Sequence, residues 1–174
     1  MTPQYPAALT MAERVLKGLT VLNVVYGTGI LLLLVASLVA PEAVFVSLAG
    51  KRVYGDGAAM RWMRLLMVVG LAAVPVAHVI LARLRAMLTT VRAGDPFVVE
   101  NARRLHAIAV AVLALELLHL VVGAIAKSDA LVRLGVDIDW SFSFTPWVAV
   151  LLLFVLAHVF EHGARMRADL EGTV

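Results

Sequence analysis

Two groups of residues in this 174-residue sequence have the types and spacing for chemistry. In the first, LALELLHLVVG, Glu116 and His119 stand three residues apart inside an apolar run. On a helix such a pair shares one face, and a Glu-x-x-His supplies half of the ligands that a carboxylate-bridged di-metal centre takes from a bundle. No second Glu-x-x-His accompanies it. Two further roles are open to this intramembrane polar pair. It could exchange a proton for a cationic substrate across a dimer, or make a packing contact in which Glu116 bonds His119, Asn23, Tyr26 or backbone.

The second group, His158-Val159-Phe160-Glu161-His162, has the H-x-x-E-H order of inverted zinc peptidases, two histidines one helical turn apart with a glutamate as base. It stands at the end of the last apolar run, where no third ligand is identifiable. His78 and His106 fall at similar depth on other runs, so His78, His106, His158, Glu161 and His162 form a second-rank candidate for a metal or haem site. Cysteine is absent, which excludes thiolate metal sites and thiol nucleophiles. No phosphate-cradling glycine loop, nucleophile elbow or dinucleotide fingerprint occurs. Neither catalysis nor a cofactor is therefore expected.

The elements that must position these residues are membrane helices. With 62% hydrophobic and 16% charged residues, the chain has too little polar surface to coat a soluble globule. Apolar runs at residues 19–40, 65–82, 106–126 and 144–160 approach or exceed the roughly 20 helical residues that a bilayer needs. The first is preceded by Arg14 and Lys17 and ends in Leu38-Val39-Ala40, but its apolar core is too long for a secretory signal and Pro41 would follow the cut. It reads as a retained span. The expected fold is an all-α, four-transmembrane-helix bundle forming a single integral domain over residues 1–174. External loops would occupy 41–64 and 127–143, with a cytoplasmic hairpin at 83–105 and a cytoplasmic tail at 161–174.

The net charge of +3 does not imply nucleic acid, because the arginines flank the apolar runs as headgroup anchors. Nine basic residues (Arg14, Lys17, Arg83, Arg85, Arg92, Arg103, Arg104, Arg165, Arg167) would lie on the side of the termini and six (Lys51, Arg52, Arg61, Arg64, Lys127, Arg133) opposite. The positive-inside rule then makes both termini cytoplasmic.

Between spans, AVFVSLAGKRVYGDG reads as a hairpin followed by a turn, and VDIDWSFSF alternates strictly, with Val136, Ile138, Trp140, Phe142 and Phe144 on one face. A small extracytoplasmic β cap is therefore expected, supported by the bundle or by a second copy of the chain. Gly94 should end the second long helix, with Asp95 capping the third and Pro96 in its first turn. Ala109, Val112, Glu116, His119 and Gly123 form a stripe that should face the bundle interior or a dimer contact. Gly27, Gly29 and Ala72-Ala73 read as close-packing sites, Pro75 as a kink, and Met60, Met63 and Met67 as packing rather than copper ligands.

Two blocks, GDPFVVENARRL and FEHGARMRADLEGTV, resemble the four-span bacterial membrane family catalogued as domain of unknown function twenty-nine seventy-five. Gly94, Asp95, Pro96, Phe97, Asn101 and Leu105 match its pattern in the first block, and Gly163, Leu170, Thr173 and Val174 in the second. The resemblance carries no established activity. It implies a bacterial cytoplasmic-membrane protein often encoded beside a small helix-turn-helix regulator. The expected partner surface is Asp95, Pro96, Phe97, Glu100, Asn101, Arg103 and Arg104 with Arg165, Arg167 and Asp169. A tail ending in Gly-Thr-Val could also enter a partner groove or sheet edge.

Overall fold

The computed structural model describes residues 7–136 and 138–171, with side chains described for residues 8–136 and 138–167. The described residues form helices α1 (Ala7–Val39), α2 (Pro41–Ala49), α3 (Lys51–Tyr54), α4 (Gly57–Arg92), α5 (Val99–Ala126), α6 (Asp129–Arg133) and α7 (Thr145–Glu171). Of these, α1, α4, α5 and α7 are long and apolar enough to cross a membrane. The 36 residues of α4 extend about 54 Å, so this helix overruns a hydrocarbon core of about 30 Å. Protein covers only 6% of the most apolar window of α1, against 28% for α5. Surfaces so apolar and so uncovered need lipid as their solvent, and the chain is a multi-pass membrane protein.

The expected β cap does not exist: no strand forms among the described residues. Pro41 occupies the first turn of α2, where its fixed φ suits a helix and its missing N–H costs nothing, and Glu42 follows at the positive end of the helix dipole. The β-branched and aromatic residues behind them, Val44 and Phe45, are buried on that helix. Gly55-Asp56-Gly57 is a helix junction rather than a hairpin turn, since Asp56 Oδ1 accepts from the N–H groups of Ala58 (2.8 Å) and Ala59 (3.0 Å) and so caps α4. Those two bonds, aided by the charges of Arg133 and Arg61, hold the Asp56 carboxyl below its ordinary value. With 41–54 helical, the alternating segment has no strand to pair with. Its periodicity survives as burial only as far as Trp140: Val136, Ile138 and Trp140 are half-buried and Asp139 and Ser141 exposed, but Phe142 and Phe144 are exposed too. Asp137 lies outside the described residues.

The contacts divide the chain into two compact units, one comprising Met1–Leu22, Val76–Ala114 and Phe144–Val174, the other Asn23–Pro75 and Leu115–Ser143. The core of the second centres on Phe45 and Leu131, both fully buried, with Val53, Ala59, Val69 and Ile125. Met60, Met63 and Met67 pack against that core as apolar gap-fillers. In the same unit Gly27 lies so close to α4 that a Cβ there would meet Val74 Cγ1 at 2.8 Å, while nothing approaches Gly29 within 4 Å. Asn23 Nδ2 bonds the carbonyl of Val74, the residue before Pro75 (3.1 Å), and Arg64 donates to the Ser37 carbonyl in the last turn of α1 (2.6 Å). That bond satisfies one of the carbonyls that a helix end leaves without an intrahelical partner.

In the first unit the buried positions are mostly small or aliphatic: Ala102, Leu105, Ile108 and Ala109 on α5, and Val150, Ala157 and Ala164 on α7. Among the described residues of that unit, the one buried polar side chain is Asn101.

Candidate functional site

The site is built from the turn that joins α4 to α5. Gly94 takes φ +80°, a conformation that favours glycine, and the Asp95 and Gly94 N–H groups reach back to the carbonyls of Thr90 (3.0 Å) and Val91 (3.1 Å). This six-to-one and five-to-two pair is a Schellman stop, as the glycine implies. Asp95 does not cap α5. Its carboxylate is taken by Arg167 of α7, and α5 begins only at Val99, three residues beyond Pro96. Asn101 ties the turn together instead. Fully buried, it donates from Nδ2 to Thr90 Oγ1 (2.7 Å) and to the Pro96 carbonyl (2.8 Å), and its Oδ1 accepts from Arg104 (2.8 Å). Arg104 also reaches the Ala86 carbonyl on α4 (3.1 Å).

An ion pair and an aromatic pair hold the end of α7 to this turn. The first joins Asp95 and Arg167, and the second is the stacking of Phe97 on Phe160, with centroids 5.2 Å apart. Phe97 lies beside Gly163 of α7, where a Cβ would make only ordinary contact with Phe97 Cδ1 at 3.5 Å. The ion pair is partly exposed and contributes about 0–1 kcal/mol; the aromatic pair adds about 0.5–1.5 kcal/mol beyond its buried area. Arg92 joins the same unit to α1 through Glu13 and the Leu9 carbonyl, pairings that the sequence did not suggest. Glu100 is exposed, and Arg165 pairs along its own helix with Glu161 (2.5 Å). The side chains of Asp169 and Leu170, and Thr173 and Val174 altogether, lie outside the described residues.

Arg103 faces elsewhere. Val99, Ala102, Arg103 and His106 on α5, and Phe154, Ala157, His158 and Glu161 on α7, line a groove of about 540 Å³. Both sets follow the three-and-four spacing of a single helix face. His106 stands edge-on to Phe154 at 5.3 Å. A second, more apolar groove of about 640 Å³ runs past Phe97, Val159, His162 and Met166. His78 lines neither groove. Among the described residues no group of three or more histidines, aspartates and glutamates is placed to hold a metal ion.

The intramembrane pair separates. Glu116 is half-buried with no hydrogen bond or ion pair among the described residues, so it is not bonded to His119, Asn23 or Tyr26. His119 turns to the 138–143 segment: its Nε2 lies 3.3 Å from the Ser141 carbonyl, its ring 5.6 Å from that of Trp140, and its own carbonyl accepts from Trp140 Nε1 (2.9 Å). Trp140 lies so close over Gly123 that a Cβ there would enter the ring. The stripe through α5 is thus uneven, with Ala109 and Gly123 buried, Val112 and Glu116 half-buried and His119 exposed.

Comparison with known proteins places these elements in one lineage. No curated protein and no solved structure matches the chain. A family model described as protein of unknown function (DUF2975) matches residues 48–174. That match runs from the end of α2 through α7 and takes in the α4–α5 turn, the α5–α7 groove and the α7 segment paired to them, and the chain belongs to this family.

Proposed function

We propose that this protein is a non-catalytic regulator of the bacterial cytoplasmic membrane that holds a soluble DNA-binding protein against the α4–α5 turn. The observation that supports the reading is the construction of that turn. A buried asparagine and a Schellman stop fix its backbone, while Phe97 (48% exposed) and Met166 (53% exposed) leave apolar surface beside the charges of Glu100, Asp95 and Arg167. Rigid backbone with apolar anchors inside a charged rim is the usual anatomy of a protein interface. The nine-to-six distribution of basic residues favours a cytoplasmic position for this surface, and the family resemblance favours a helix-turn-helix partner. The test is site-specific photo-crosslinking in cells from Glu100, Phe97 and Met166, with Val24 of α1 as control. The expected result is one soluble DNA-binding protein attached at the first three positions and absent at the fourth. Crosslinks only to lipid or to other copies of the chain would end the proposal.

A second reading rests on Glu116, half-buried within a membrane-spanning helix and unpaired among the described residues. Such an acid suits a small proton-linked transporter. Glu116→Gln separates the two readings: the regulator tolerates it and fails instead on truncation from Arg165, whereas the transporter loses activity with Glu116→Gln.

A further inference from the structure

The groove between α5 and α7 has a chemistry that the partner surface does not use. Its polar lining includes Arg103, which is exposed and makes no hydrogen bond or ion pair among the described residues, with His106 and His158 in the same lining. Glu161, the acid in the lining, is already neutralised by Arg165 at 2.5 Å. The local balance is therefore cationic. The apolar lining residues, Val99, Ala102, Phe154 and Ala157, are interleaved with these groups, His106 standing edge-on to Phe154. One further turn along the same faces, Ala109 and Val150 are buried while Val110 (48%) and Leu151 (63%) stand exposed, so apolar surface continues beyond the groove. The groove thus sits where the charged start of α5 gives way to its apolar run, the level at which lipid headgroups meet acyl chains. Its volume of about 540 Å³ falls within the range of small-ligand clefts, roughly 300–1,000 Å³.

We propose that this groove binds an anionic phospholipid, the phosphate at Arg103 with His106 and His158, and one acyl chain along Phe154, Val110 and Leu151. A soluble anion would gain nothing from the apolar surface beyond the groove. A zwitterionic lipid would bring its own cation to Arg103. Basic pockets between membrane helices are known in general to select anionic headgroups.

The test is native mass spectrometry of the full chain equilibrated with equal amounts of phosphatidylglycerol and phosphatidylcholine. The unaltered protein is expected to retain phosphatidylglycerol with roughly tenfold preference, the scale of one charge-assisted contact. Arg103→Gln should bring the ratio near parity, Arg103→Lys should keep most of the preference, and Arg85→Gln, an exposed arginine on α4, should leave it unchanged. Photoactivatable phosphatidylglycerol should label peptides covering residues 99–110 and 151–161, a readout that needs no variant. Parity in the unaltered protein, an equal loss in Arg85→Gln, a preference that survives Arg103→Gln, or labelling confined to α1 would each overturn the proposal. Displacement of the lipid by equimolar glycerol 3-phosphate would overturn it too, by making the site one for free phosphate.

Discussion

Replacing Asn101 with alanine should loosen the α4–α5 turn without unfolding the rest of the protein. The side chain is fully buried and makes three hydrogen bonds, to Thr90 Oγ1, the Pro96 carbonyl and Arg104. At a net value of about 1 kcal/mol each their loss amounts to about 3 kcal/mol, and the Pro96 carbonyl is left without that donor. Thr90 Oγ1 keeps its own bond to the Met87 carbonyl and Arg104 keeps the Ala86 carbonyl, so the cost should not run much higher. A local opening free energy reduced by about 3 kcal/mol corresponds to roughly a hundredfold increase in the open population. Hydrogen exchange of the protein in lipid nanodiscs reads this directly through the Asp95 and Gly94 amides, which bond the Thr90 and Val91 carbonyls. Exchange in peptides covering 90–101 should accelerate by about two orders of magnitude, with residues 41–56 unchanged. An acceleration below about threefold, or a uniform one along the chain, would refute the assignment of the turn's rigidity to Asn101.

Gly27→Val should force α1 away from Val74 at a cost of about 1–3 kcal/mol, and Val74→Ala should recover much of it; additive rather than compensating shifts in melting temperature would count against that contact. Gly123→Ala should expel the Trp140 ring and break its bond to the His119 carbonyl, seen as red-shifted, more quenchable emission when Trp62 and Trp147 are replaced by phenylalanine; an unchanged spectrum would contradict the packing. Because folding lowers the Asp56 pKa, its cap contributes fully above the unfolded carboxylate value of about 3.9 and is lost as pH falls through the lower folded value. Thermal melts should therefore show Asp56→Ala destabilised at neutral pH, and Asp56→Asn stable there but lacking that acid-dependent loss; identical pH profiles for all three proteins would exclude the cap.

The four spans were legible because a bilayer imposes length and hydropathy on every crossing helix, and Gly94 announced its turn because few other residues accept that backbone conformation. The cap region misled for a physical reason. Valine and phenylalanine favour strands only where a pleated neighbour receives them, and Pro41 with Glu42 started a helix first. The alternation at 136–141 did report a half-buried segment, but alternation in burial does not require a ladder. Asp95 was misassigned because its carboxylate could serve either α5 or a distant arginine, and nothing local to GDPF reveals Arg167 of α7. The α5–α7 groove left a readable trace, Val99, Ala102, Arg103 and His106 against Phe154, Ala157, His158 and Glu161, which becomes informative only once the two helices are known to be neighbours.

The interleaving of the two units also sets a timetable for synthesis. Every residue of the unit centred on Phe45 and Leu131 has been made once Ser143 leaves the ribosome, whereas the other unit still lacks everything from Phe144 onward. Until α7 arrives, Phe97 has no Phe160, Asp95 has no Arg167 and the floor of the lipid groove has one wall. Helix α7, translated after every residue of the other unit, therefore completes both surfaces on which function is proposed to depend, so a chain stalled before Phe144 would be inserted and half-packed yet have neither.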